Sequence, residues 1–131
     1  MKIHVGRKQL REAFFRHRHV GSPCANDSHL LLLIYAVECG LKELLLEQRG
    51  AYSTEKLDKD DLSHDLDELL KTVGARERFG HCTLTSPATA SLSPGGVHQA
   101  LRYGARLETK SRASVEQRAK SVIAWLEENI T

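Results

Sequence analysis

Aromatic residues make up only 5% of this 131-residue chain, and it has three cysteines. Aromatic scarcity leaves leucine as the main core material and favours helices over strands. Cys24, Cys39 and Cys82 are odd in number, widely spaced and without paired-ligand spacing, which argues against a disulfide framework and against a zinc site. Cys39 reads as a small buried hydrophobe. No alternating run of Val, Ile, Thr and aromatics marks a strand, and no internal repeat is present. Gly-rich phosphate loops and Ser/His/Asp arrangements are also missing. Asp58, Asp60 and Asp61 resemble a calcium loop only superficially, since the glycine and the terminal bidentate Glu are not in register. No metal and no cofactor are therefore expected. No apolar run follows Met1-Lys2-Ile3-His4, so no secretory signal is expected. The most apolar segment, His29–Glu47, carries Glu38, Lys42 and Glu43 in its second half and fails as a membrane span. A cytoplasmic protein with no membrane association is the expectation.

The length suits one domain over residues 1–131, large enough for a core without metal or disulfide staples. The formal charge of +2 is too small to imply a polyanion partner, but its distribution is uneven. Lys2, Arg7, Lys8, Arg11, Arg16 and Arg18 face only Glu12 in the first twenty residues. Between Glu55 and Glu68 the balance is acidic, and from Arg102 to Lys120 it is basic again. Such surfaces either remain solvated or hold a partner.

Leu30 to Val37 is unbroken apolar sequence, and Leu44, Leu45 and Leu46 resume it after Glu38 and Lys42. A helix apolar nearly all round belongs at the centre of a bundle. Asn26, Asp27 and Ser28 offer N-cap oxygens and Gly50 a stop, so this helix spans ~22 residues, roughly 33 Å. A first helix over Gly6–Val20 places Leu10 and Phe14 on one face. LSHDLDELLKTVG, residues 62–74, reads as a third, with His64 capping, Asp65, Asp67 and Glu68 in its early turns and Gly74 ending it. The Ser/Thr/Pro/Gly-rich stretch at about 75–96 reads as a flexible loop, and Val97–Tyr103 as a short helix. Ser114 and Gln117 form a capping-box pair for the last helix, with Val115, Ala119, Val122, Leu126 and Ile130 on one face. The expected fold is all-α, an antiparallel bundle of four to five helices.

Three pieces in order, AVECGLKELLL (36–46), SHDLDELL (63–70) and ALRYG (100–104), resemble the HEPN superfamily of small prokaryotic helical bundles. The match is to the branch with Glu-x-x-x-Lys, His-Asp-Leu and Arg-Tyr motifs, here Glu38, Lys42, His64, Asp65, Arg102 and Tyr103. The resemblance implies a bundle that dimerises or joins a hetero-complex in antiphage defence or toxin–antitoxin systems. It implies two alternatives as well: a metal-independent ribonuclease, or a nucleotide- or tRNA-binding accessory of a nucleotidyltransferase. The family's ribonucleases carry an Arg, four to six residues, then a His, in which the His moves protons and the Arg stabilises phosphate charge. Arg11 with His17 and Arg76 with His81 satisfy that spacing, a number of hits comparable to the roughly two expected by chance.

Glu38 and Lys42 form a favourable i,i+4 pair. A buried Glu38 needs a cation, and Arg102 is the candidate; on a solvent stripe the pair needs none. Tyr103 reads as a core aromatic with its hydroxyl at the bundle edge. Arg7, Lys8, Arg11, Arg16 and Arg18 on the first helix are candidate RNA contacts, although stacking requires Phe14 or Phe15 to face outward. The expected function is a binding or assembly subunit for a protein partner or a second copy of itself, with RNA as a further ligand.

Overall fold

The computed structural model describes residues 4–57 and 65–130. His64, Asp58, Asp60 and Asp61 lie outside the described residues. Those that are described contain five helices and three short strands: α1 (Arg7–Gly21), α2 (Asp27–Arg49), α3 (Leu66–Val73), β1 (Cys82–Ser86), β2 (Ala90–Leu92), α4 (Val97–Arg102), β3 (Arg106–Leu107) and α5 (Thr109–Asn129). Single 3-10 turns lie at Thr54–Lys56 and Pro94–Gly96.

α2 is the hub, packing against α1, α3, α4 and α5. Asn26 caps it by accepting from the His29 amide at 2.9 Å, and Gly50 ends it in the left-handed region at φ 65°. Leu30, Ala36, Val37, Leu41, Leu45 and Leu46 are fully buried. α1 and α2 form a hairpin closed at its base, where Arg7 N donates to Tyr52 O at 3.0 Å and Thr54 N to Val5 O at 2.9 Å. Leu10 and Phe14 are buried on the inner face of α1, as their spacing predicts. The helices approach closely at Gly40, where an added Cβ would stand 2.7 Å from Leu126 Cδ1 and 2.8 Å from Phe14 Cδ1. Val115, Ala119, Val122 and Leu126 form the buried face of α5, and Ile130 completes it just past the helix end.

The all-α expectation is corrected in the 75–96 stretch, which contains a β-hairpin. β1 is the central strand of an antiparallel sheet ordered β2-β1-β3, with Cys82 opposite Leu92 and Leu84 opposite both Ala90 and Leu107. Its strands are too short, and too rich in Ser and Thr, to show an apolar alternation. Tertiary bonds hold them instead. Asp67 of α3 accepts from Phe79 N at 2.6 Å and Gly80 N at 3.0 Å. Ser111 Oγ of α5 accepts from Thr83 N at 2.9 Å.

Two helix starts also differ from expectation. Asp65, not His64, caps α3, its Oδ1 accepting from the amides of Asp67 and Glu68. α5 begins at Thr109 under a Glu108 cap, so Ser114 and Gln117 lie inside the helix and do not form its capping box. No helix among the described residues is long and apolar enough to cross a membrane.

Candidate functional site

α2 is not covered all round. Leu31, Leu32, Tyr35, Glu38, Cys39 and Lys42 are half-buried and recur at three- and four-residue intervals, which sets them along one stripe of the helix. Lys42 Nζ donates to Glu38 Oε2 at 3.1 Å on this stripe, with 12% and 18% of the side chains exposed. The pair is thus partly desolvated. Burial raises the Cys39 thiol to about 11, reinforced by Glu38 and opposed by Lys42 and Arg16. It is a protonated packing group at neutral pH.

One turn N-terminal to Glu38, Tyr35 collects groups from two other helices. The His17 ring of α1 lies 5.9 Å from the Tyr35 ring, and the His98 ring of α4 lies 6.4 Å from it. Arg102, one turn after His98 on α4, places its guanidinium carbon 5.6 Å from the same ring. Arg102 Nε donates to the Tyr35 hydroxyl at 2.9 Å, and Nη2 donates to it too. Arg102 is therefore not the cation of Glu38, which corrects that expectation; Lys42 of its own helix is. Tyr103 is 74% exposed and is not a core aromatic.

His17 is held below its ordinary value, first by burial and then by the charge of Arg16. At neutral pH it is a neutral imidazole, able to accept a proton or a hydrogen bond. Two imidazoles, a phenol and a guanidinium on one partly open face can bind an oxyanion and move a proton. His17 is the one sequence candidate that falls in this constellation together with Arg102. Arg11 sits six residues before it on α1, about 120° away around the helix, and so does not share its face. Arg76 and His81 are both exposed, one following α3 and the other preceding β1. Tyr35 and His98 escaped the sequence reading, because nothing in their local sequence distinguishes a core aromatic from a site aromatic. The four-residue spacing of His98 and Arg102 was the available signal.

A second polar centre is buried and also unforeseen. Glu43 on α2 is 1% exposed, and its Oε1 accepts from Arg7 Nε at 3.1 Å and Nη2 at 3.0 Å, while Oε2 has no hydrogen-bond partner among the described residues. Glu47 stands 3.5 Å from the same guanidinium. Arg7 is thus committed to fastening α1 to α2. Arg18 is likewise engaged by Glu127 at 2.6 Å and lies over the Phe15 ring at 5.2 Å. Lys8, Arg11 and Arg16 are exposed on α1 as well. Phe15 does face outward, 38% exposed. Among the described residues, no group of three or more His, Cys, Asp or Glu side chains is arranged to hold a metal ion. Comparison of the chain with protein-family models, curated proteins and solved structures finds no match.

Proposed function

We propose that the protein is a HEPN-like binding and assembly subunit of a prokaryotic antiphage defence or toxin–antitoxin system, and that it engages RNA, beside a protein partner or a second copy, on the face shared by α1, α2 and α4. The observation that carries this reading is the convergence of His17, His98 and Arg102 on Tyr35. A guanidinium and imidazole donors suit phosphate oxygens. The exposed Tyr103 ring next to Arg102, and Arg16 within electrostatic reach of His17, supply aromatic and basic groups of the kind that single strands require.

A metal-independent ribonuclease is the second reading, favoured by one observation: burial and Arg16 keep His17 neutral next to Tyr35, as a general base requires. One experiment separates the two. Total RNA is incubated with the purified protein in EDTA, and binding and cleavage are followed for wild type, His17→Ala, His98→Ala and Arg102→Ala. The binding reading expects retention of intact RNA, with affinity lowered ~tenfold in Arg102→Ala. EDTA-resistant cleavage lost in His17→Ala or His98→Ala would establish the ribonuclease. RNA retention unaffected by all three substitutions would remove this face from either role.

A further inference from the structure

A separate cavity of about 340 Å³ lies between the C-terminal end of α3 and the second half of α5, elements that contribute nothing to the Tyr35 cluster. Its lining includes Leu70 and Val122, both buried, with the half-buried Trp125 and Glu77 and the exposed Ser121 and Arg76. The volume falls within the range of small-molecule sites, which combine apolar walls with a few polar groups. Its electrostatics are asymmetric. Glu77 is neutralised by Arg118 at 3.0 Å, whereas the Arg76 guanidinium makes no hydrogen bond or ion pair with a described side chain and lies at the rim as an uncompensated charge. The α3 C-cap delivers it there. Gly74 turns the chain at φ 85°, and Ala75 N returns to Leu70 O at 2.9 Å, so Arg76 leaves the helix facing α5.

We propose that this cavity binds a small planar aromatic or heteroaromatic ring carrying an oxyanion. The half-buried indole of Trp125, packed over the buried Leu70 and Val122, offers a flat ring an apolar surface, and such stacking tolerates different rings. Arg76 has the fork geometry that pairs with a carboxylate or phosphate, and the Ser121 hydroxyl adds a donor. Two sources share this chemistry, a mononucleotide and an aromatic carboxylic acid, and the probes below distinguish them.

Trp125 is the chain's single tryptophan, so its fluorescence reports on this cavity alone. The probes are adenosine monophosphate and benzoate, which does not emit in the indole band, with adenosine (ring without anion) and inorganic phosphate (anion without ring) as controls. The full chain is titrated with excitation at the red edge of the indole band. Saturable quenching by at least one of the first two is expected, with both controls at least ~tenfold weaker. Arg76→Ala should weaken the active probe at least ~tenfold, as loss of a charge-assisted pair does, and Arg76→Lys should recover part of it. Because Arg76 is exposed, circular dichroism of both variants should match wild type. The proposal is overturned by absence of saturable quenching up to ~10 mM. It is equally overturned if Arg76→Ala binds like wild type, or if adenosine or phosphate alone binds as tightly as the complete probe.

Discussion

Glu43 and Glu38 sit five residues apart on one helix, yet their surroundings assign them different work. Glu43 is sealed in the core with Arg7 on one oxygen only. Removing one partner of a buried pair leaves the other poorly compensated, and the deletion leaves a void as well. Glu43→Ala should therefore cost about 2–4 kcal/mol, read as a lower urea midpoint at unchanged m-value. Glu38→Ala should cost less, about 1–2 kcal/mol, because its pair with Lys42 is only partly desolvated, at 18% and 12% side-chain exposure. Equal losses for the two variants would show that burial is not what separates them. At His17 the prediction concerns pH. Its folded value is depressed, so the unfolded chain binds the proton more readily. Its contribution is intact above the ordinary value of 6.5 and is lost as pH falls from there toward the depressed folded value. Thermal melts of wild type and His17→Gln should diverge below that pH, with wild type the more acid-sensitive.

At the scale of elements, α2 was readable from sequence because its information is local. Asn26, the apolar run and Gly50 state a start, a buried body and a stop within one segment, and the helix follows them. α5's buried face was legible for the same reason, since Val115, Ala119, Val122 and Leu126 repeat at helical spacing. The sheet was not legible. Its strands are two to five residues long, and they depend on Asp67, Ser111 and Glu108, supplied by distant helices or their caps. Close approach of elements is similarly invisible. Gly40 inside a helix costs about 1 kcal/mol of propensity relative to alanine, yet it lets α1, α2 and α5 meet. Gly40→Ala should therefore destabilise by about 1–3 kcal/mol despite its better helix propensity, because the new methyl meets the fully buried side chains of Phe14 and Leu126. A rise in melting temperature in that variant would mean that those two side chains yield easily.

On the scale of the whole molecule, three ion pairs among the described residues tie distant segments: Arg18–Glu127, Arg112–Asp27 and Arg118–Glu77. Their side chains keep 30–48% of their surface in water, where screening leaves little net stabilisation. Stability should accordingly change by less than ~1 kcal/mol between low salt and ~1 M salt. RNA retention on the α1/α2/α4 face should fall steeply over the same range, and Arg102→Ala should reduce its logarithmic salt slope by about one. Parallel denaturation and filter-binding series in salt would check both. Salt-insensitive retention would mean that the face does not work through phosphates.

The sequence by itself determined the helices, their principal buried faces and α2's place at the centre, because capping and apolar periodicity are written within a few turns of chain. It also marked Glu38 with Lys42 and Arg102 as charges needing partners. Only the tertiary structure decided which partners those are. Lys42 serves Glu38, Arg102 joins His17, Tyr35 and His98, and the buried carboxylate is Glu43, held by Arg7. A side chain's charge is a property of its residue, whereas its burial and its counter-ion are properties of the helices that close around it.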